Sequence, residues 1–383
     1  MNRTQGAGGP VVREPIQARP RIYSSHARKP LNPETDYQPI EQARHDAPLA
    51  SPVPFLPSQP STLHKIFIGK DGLRAGWSLL IFVAILAVCS FCLNRAAHKL
   101  LPHAPRTAEA SAEAMGKPAF MLVGESTQFL LVLFVTWIMS KIERRPNSVY
   151  GFGDSRKLQH FFAGLAWGVT CLSLLVLTLW KGGFLVINGR LLFGGDILRY
   201  GAIWLFGFLL VGLFEEYITR GYAQYTLTRG LAGFYQWAFK TRHSTALAFW
   251  TSALIFSFLF GFGHKSNIGE SPVGLLSAGL VGFVFCLSLW RTGSLWWAIG
   301  FHASWDWAQN FLYGTADSGL MIQQRLLDSH PAGKPILSGG TTGPEGSIFI
   351  LAILVLVTLI IVFTLPRTHY GRASKAFEIS SPA

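Results

Sequence analysis

The chain alternates long apolar runs with short connections rich in charge or glycine. A bilayer-spanning helix needs roughly 20 consecutive apolar residues. Eight segments read that way: about 73–93, 120–140, 161–180, 200 onward, 246–262, 274–290, 295–312 and 348–365. The pattern therefore predicts an all-α, polytopic membrane protein of about eight transmembrane helices. Between the seventh and eighth, residues 313–346 are polar and end in Gly339-Gly340-Thr341-Thr342-Gly343-Pro344-Glu345-Gly346, which reads as loop.

Outside this membrane domain (66–368) the pattern changes. Residues 1–65 are rich in Pro, Arg, Ala, Ser and Gln without a sustained apolar period, as expected of a disordered cytosolic tail. They contain no apolar core of the kind a signal peptide carries. Residues 369–383 form a short C-terminal tail.

Composition agrees with the pattern: half of the residues are hydrophobic and 14% are charged. The formal net charge of +13 is spread over tails and short loops. That distribution suits anionic headgroups and excludes nucleic acid as a partner. Cys89, Cys92, Cys171 and Cys286 lie in apolar runs and show no metal-ligand spacing. Lysine and arginine concentrate in the N-terminal tail, Lys141–Lys157, Arg220–Arg242, Arg291 and the C-terminus. Basic residues favour the cytoplasmic side. An integral, multi-pass protein of a bacterial-type inner membrane with both termini cytoplasmic is expected.

Against that background the intramembrane polar residues stand out, because an ionisable group in an apolar span is costly. The run Gly212-Leu213-Phe214-Glu215-Glu216-Tyr217-Ile218-Thr219-Arg220 carries two carboxylates. Glu216 and Arg220 are four apart and share a helix face, which predicts a structural ion pair. Glu215 sits about 100° away and is left available. The fifth span ends at His264, and the seventh places His302 and Asp306 four apart on one face. Acid and imidazole on one face suit proton transfer or metal ligation. Taken singly, each has a bland reading: an interfacial histidine, a helix-packing pair, a buried bridge. Their conjunction favours a polar catalytic cavity. Glu125, in the first turns of the second span, reads as an interfacial or helix-packing acid.

Glu215-Glu216-x-x-x-Arg220, Phe260-x-x-x-His264 and His302-x-x-x-Asp306 together resemble the motifs of the CAAX prenyl protease 2 and bacteriocin self-immunity (CPBP) family. The resemblance covers about 200–312. It implies a membrane-embedded endopeptidase that hydrolyses a peptide bond with Glu215-activated water, assisted by His264. His302 and residue 306 would steady the oxyanion, with no obligatory cofactor. The substrate would be a peptide or membrane protein. Position 306 is asparagine in the prenyl-protease branch. Asp306 donates a hydrogen bond only when protonated, and otherwise would orient His302. A zinc peptidase with His264, His302 and Glu215 as ligands remains a second version. A non-catalytic scaffold or immunity-type protein and, more weakly, a transporter are the alternatives of other classes. One geometric condition attaches to all of them. Straight helices do not bring Glu215, His264 and His302 level, so a bend in the fourth or fifth helix, or a break at Gly230, is expected.

Overall fold

The computed structural model describes residues 66–69, 72–100, 107–367 and 370. All of them belong to one unit, Pro60–Ala383. The expected tail 1–65, and all of 369–383 except Tyr370, lie outside the described residues.

A two-residue hairpin, β1 (Ile68–Gly69) and β2 (Gly72–Leu73), precedes α1 (Ala75–Leu100). Next come α2 (Ala108–Met115), α3 (Pro118–Glu143) and α4 (Lys157–Lys181). Strand β3 (Leu185–Arg190) leads to α5 (Gly195–Glu216), which runs through a π-helical segment, Tyr217–Ala223, into α6 (Gln224–Phe239). Then follow α7 (Ser244–Gly263), α8 (Pro272–Thr292) and α9 (Trp296–Trp307), the last extended by a π-helical Ala308–Leu312. Strand β4 (Leu327–Pro331), the short α10 (Pro335–Ser338) and α11 (Ile350–Thr364) complete the order.

The helix boundaries follow local chemistry. Pro118 opens α3, where a missing N–H costs nothing. The Ser271 hydroxyl accepts from the Gly274 N–H to cap α8, and Gly293 (φ 70°) ends it in the left-handed region.

Six helical stretches are long and apolar enough to cross a membrane: 75–97, 118–143, 157–181, 195–239, 244–266 and 272–292. The molecule is an all-α polytopic membrane protein. The two remaining expected spans are shorter. Ile350–Thr364 is a 15-residue apolar helix, and α9 has 12 residues before its π-helical extension. The reason is visible in α9: nearly every residue from Trp297 to Asp306 is buried, so it is wrapped by other helices instead of facing lipid. By contrast α1 and α3 expose Leu80, Val83, Phe91, Val123 and Leu130, as a lipid-facing surface requires.

Close approach of α9 to its neighbours depends on small residues. In Gly164-Leu165-Ala166-Trp167-Gly168 of α4, a Cβ on Gly164 would strike the Trp297 carbonyl, and one on Gly168 would strike Ser304 and the Phe301 carbonyl. From the other side, a Cβ on Gly300 would strike the Phe161 carbonyl. This glycine spacing permits backbone contact between membrane helices, and it fixes the helix that carries His302 and Asp306.

The connections sort to two ends of the bundle. At one end, Leu295 N–H donates to the Gly151 carbonyl (2.9 Å), Arg291 Nη2 to Leu365 O (2.6 Å) and Arg229 Nη1 to Leu73 O (3.0 Å). At the other, Gln323 N–H donates to Gly116 O (2.8 Å), Ala332 N–H to Phe184 O (2.9 Å) and Thr341 Oγ1 to Gly269 O (2.6 Å). The connection between α4 and α5 and the expected loop 313–346 each contain a strand: β3 and β4 pair antiparallel at this second end.

Candidate active site

The fourth apolar run continues past Arg220 without a break, as one helical stretch of 45 residues. The expected glycine break does not occur: Gly230 lies against Ala75 inside α6. The irregularity in this helix is instead a π-helical turn directly after Glu216. A π turn accommodates an extra residue inside a helix and is common at functional sites. There the Thr219 hydroxyl donates to the Glu215 carbonyl (2.5 Å).

Glu216 is fully buried. Its Oε1 accepts from Arg220 Nη1 (2.5 Å) and from His302 Nδ1 (3.0 Å). Arg220, itself 2% exposed, also donates through Nε to the Gly282 carbonyl (3.2 Å). Its guanidinium lies over Phe260 (4.7 Å to the centroid) and Phe285 (5.5 Å). One carboxylate thus ties together α5, α9 and, through the arginine, α8 and α7. Such a charge is tolerable inside a protein only when paired and hydrogen-bonded like this.

Glu215 faces elsewhere. Its side chain is 27% exposed, and Oε2 lies 3.8 Å from His302 Nε2. Asp306 Oδ2 lies 3.5 Å from the same nitrogen. His302 therefore has its Nδ1 engaged by Glu216 and its Nε2 turned towards Glu215 and Asp306. His264, at the C-terminal end of α7, donates Nδ1–H to the Phe260 carbonyl (2.8 Å). That bond assigns the proton of the neutral ring to Nδ1 and leaves Nε2 as an acceptor. The Phe260 ring packs near both histidines, 4.8 Å from His264 and 6.4 Å from His302 between centroids. Among the described residues no hydrogen bond or ion pair joins His264 to Glu215 or His302.

All four expected site residues, Glu215, His264, His302 and Asp306, line one cavity of about 560 Å³. Its walls are largely apolar, with Phe208, Val211, Val281, Phe285 and Phe301 among them. Three further carboxylates line it as well. Glu125, expected at an interface or a packing seam, is 6% exposed and turned into the cavity, with Gln128 Nε2 donating to it (3.2 Å). The rule that flags Glu215, an acid inside an apolar span, applies equally to Glu125. Asp317 and Glu345 come from the 313–346 loop, which closes over the cavity. Glu345 Oε1 accepts from the Ser318 N–H (2.6 Å) and hydroxyl (2.9 Å), and Gln309 Nε2 donates to Asp317 (3.5 Å). Burial pushes the Asp317 carboxyl well above the usual carboxylate range, and Asp306, Glu345 and Glu215 add to the rise. Burial also raises Glu345, against the lowering effect of its bonds from Ser318. Nothing in a polar, glycine-rich loop sequence indicates which of its acids fold back over a cavity.

The zinc version can be tested on the donors themselves. Zinc bonds to nitrogen and carboxylate oxygen are about 2.0–2.2 Å long. His302 Nδ1 is engaged by Glu216, which leaves Nε2 as its possible donor, 3.8 Å from Glu215 Oε2. Among the described residues, no three His, Cys, Asp or Glu side chains are disposed to share a metal ion. His264, His302 and Glu215 do not fit as a ligand set in this arrangement.

Residues 197–308 match the family model described as type II CAAX prenyl endopeptidase Rce1-like. The matched window is less than a third of the chain and holds the three motifs. It is consistent with an intramembrane protease of the CPBP family. No curated protein and no solved structure matches the chain.

Proposed function

We propose that this chain, whose residues 197–308 carry the type II CAAX prenyl endopeptidase segment, is a membrane-embedded endopeptidase that uses Glu215 to activate water. The observation that carries the reading is the division of labour between two adjacent carboxylates. Glu216 is consumed by Arg220 and His302, whereas Glu215 makes only a looser contact with His302 (3.8 Å) and faces a cavity shared with His264, His302 and Asp306.

In this reading a peptide carbonyl enters the cavity beside Glu215. Glu215 removes a proton from water as the oxygen attacks the carbonyl carbon. His264 Nε2, an acceptor in the neutral ring, orients that water. Negative charge moves onto the carbonyl oxygen, and His302, carrying a proton on Nε2, donates to it. Glu216 holds the imidazole in register through Nδ1, and Asp306 flanks Nε2. That position supports an orienting part for Asp306, since a carboxylate offers no proton to an oxyanion. Collapse of the tetrahedral species breaks the C–N bond, and the proton on Glu215 passes to the departing amine.

The lining also bears on the substrate. Glu125, Asp306, Asp317 and Glu345 accompany Glu215, and neither lysine nor arginine is among the lining residues. A CAAX tail ends in a free carboxylate three residues beyond its cysteine, and such a terminus would meet like charge here. An internal peptide bond fits the cavity better than a C-terminal tripeptide.

The test is purified protein in detergent with a fluorogenic peptide or a pool of membrane proteins. Wild type cleaves, while Glu215→Ala and His264→Ala do not. Equal cleavage by these variants overturns the reading.

A further inference from the structure

We infer that the proposed active site is entered from the non-cytoplasmic face of the membrane, so that its substrates are peptide segments exposed on that face. Calling them substrates rests on the endopeptidase reading, whereas the geometry is independent of it.

Two observations carry this sidedness. The first is charge. The end of the bundle marked by the Leu295–Gly151 bond carries the short connection between α3 and α4, with Lys141, Arg144, Arg145, Arg156 and Lys157. Lys240 and Arg242 lie in the turn between α6 and α7, and Arg291 and Arg367 lie at the same end. The opposite end has longer connections in which basic residues alternate with acids such as Asp196, Glu270 and Asp328. Lysine and arginine in short loops stay cytoplasmic, which sets the first end inside.

The second observation is the course of the cavity. Its lining includes Ser266, Asn267, Ser318, Gly319 and Glu345, all from the less basic end, and no residue of 144–156 or 293–295. Towards the basic end the site is shut by a packed layer. Tyr150, Tyr217, Tyr222, Leu295 and Ile299 are each 0% exposed, and Phe152 stacks on Tyr217 at 4.3 Å between centroids. From Leu295 to His302 is only about 10 Å of helix. His302 thus lies a short way from the basic end and is sealed from it, while His264, at the far end of α7, stands beside Ser266 and Asn267 in the cavity wall. Water and peptide reach the site from the other side.

Thiol labelling in intact bacterial cells tests this without any need for activity. Single cysteines are placed in a background whose native cysteines are replaced by serine or alanine: Ala278→Cys on the cavity wall, Ser266→Cys at its rim, Arg156→Cys at the basic end. A small charged, membrane-impermeant thiosulfonate is applied, and a maleimide then counts the remaining thiols. The expected result is modification of the cysteines at 278 and 266 in intact cells, and of that at 156 only once the membrane is opened. Modification at 156 in intact cells overturns the inference. So does protection at 278 while 266 is modified, because the cavity would then not open to that side. Loss of cleavage by Glu215→Ala tests the catalytic reading separately. A chain with the expected labelling and no protease activity would keep its sidedness and lose its proposed chemistry.

Discussion

His302 donates its Nδ1 proton to the same Glu216 oxygen that receives Arg220, at 3.0 Å and 2.5 Å respectively. The arginine-paired carboxylate is therefore also the support of the histidine that faces the cavity. Removing it acts on stability and on chemistry together. Glu216→Ala would leave a guanidinium 2% exposed without its partner. Breaking a buried pair costs about 3–5 kcal/mol. Thermal unfolding in detergent is expected to show a large fall in midpoint, and Glu216→Gln a smaller one. An unchanged midpoint in both would mean that the pair is not a brace.

Glu215→Gln should behave in the opposite way. The side chain is partly exposed to the cavity and its substitution strands no buried charge. The expected outcome is wild-type thermal stability with a fall in kcat of about 10²–10⁴, the range for loss of a general base. A large loss of stability would move Glu215 into the structural class with its neighbour.

The glycines of α4 give a test of how the site is held. Gly164→Ala places a methyl group against the Trp297 backbone, which cannot rotate away. Overpacking of this kind costs about 1–3 kcal/mol. Because α9 carries both His302 and Asp306, activity should fall further than stability predicts. Gly233→Ala, where a Cβ meets open space, serves as the control and should leave both unchanged. Equal effects at the two positions would show that the α4–α9 contact is not specially close.

The loop over the cavity should loosen as pH rises. The carboxyl of Asp317 faces Asp306, Glu345 and Glu215, while Glu345 faces Ser318, Glu270 and His264. Burial raises both carboxyls in the closed loop. A group that binds its proton more tightly in the closed state favours closure while protonated. That contribution is complete below about pH 4, the value for a free carboxyl, and is lost as pH climbs through the raised values. Hydrogen exchange across 313–346, corrected for its intrinsic pH dependence, should show more frequent opening at higher pH. Asp317→Asn should flatten the profile. A profile of the same slope in the variant would assign the effect to other groups.

The sequence declares the membrane helices and the motif residues because both depend on local rules: apolar length, and the high cost of an acid in an apolar run. It declares Glu216 with Arg220 because four residues on a helix set neighbours regardless of tertiary structure. Glu125 obeys the same rule as Glu215, yet its position near a helix start makes an interfacial reading natural, and only packing decides its direction. The double use of Glu216 by Arg220 and His302 depends on a contact 86 positions apart, beyond any local pattern. The 313–346 loop shows only that it is a loop, since its register over the cavity comes from the β3–β4 pairing and from long-range bonds such as Thr341 to Gly269. The π-helical turn at Tyr217–Ala223 is a further irregularity, one for which the residue types give no clear sign.

That π-helical turn also makes the chain sensitive to length at one place. Each residue of a helix rotates the remainder of that helix by about 100°. The π turn absorbs one such residue, so deleting one between Tyr217 and Thr219 and restoring plain α geometry would leave α6 near its present phase while moving Arg220 from the fourth position after Glu216 to the third. The helix face that meets α7 would keep its direction, and the guanidinium would shift on its carboxylate. A deletion in the exposed turn at 240–243, between α6 and α7, only shortens a connection. Two deletions of the same size, some twenty residues apart, therefore have unequal consequences: one is absorbed by a surface turn, and the other changes the spacing of the buried Glu216–Arg220 pair.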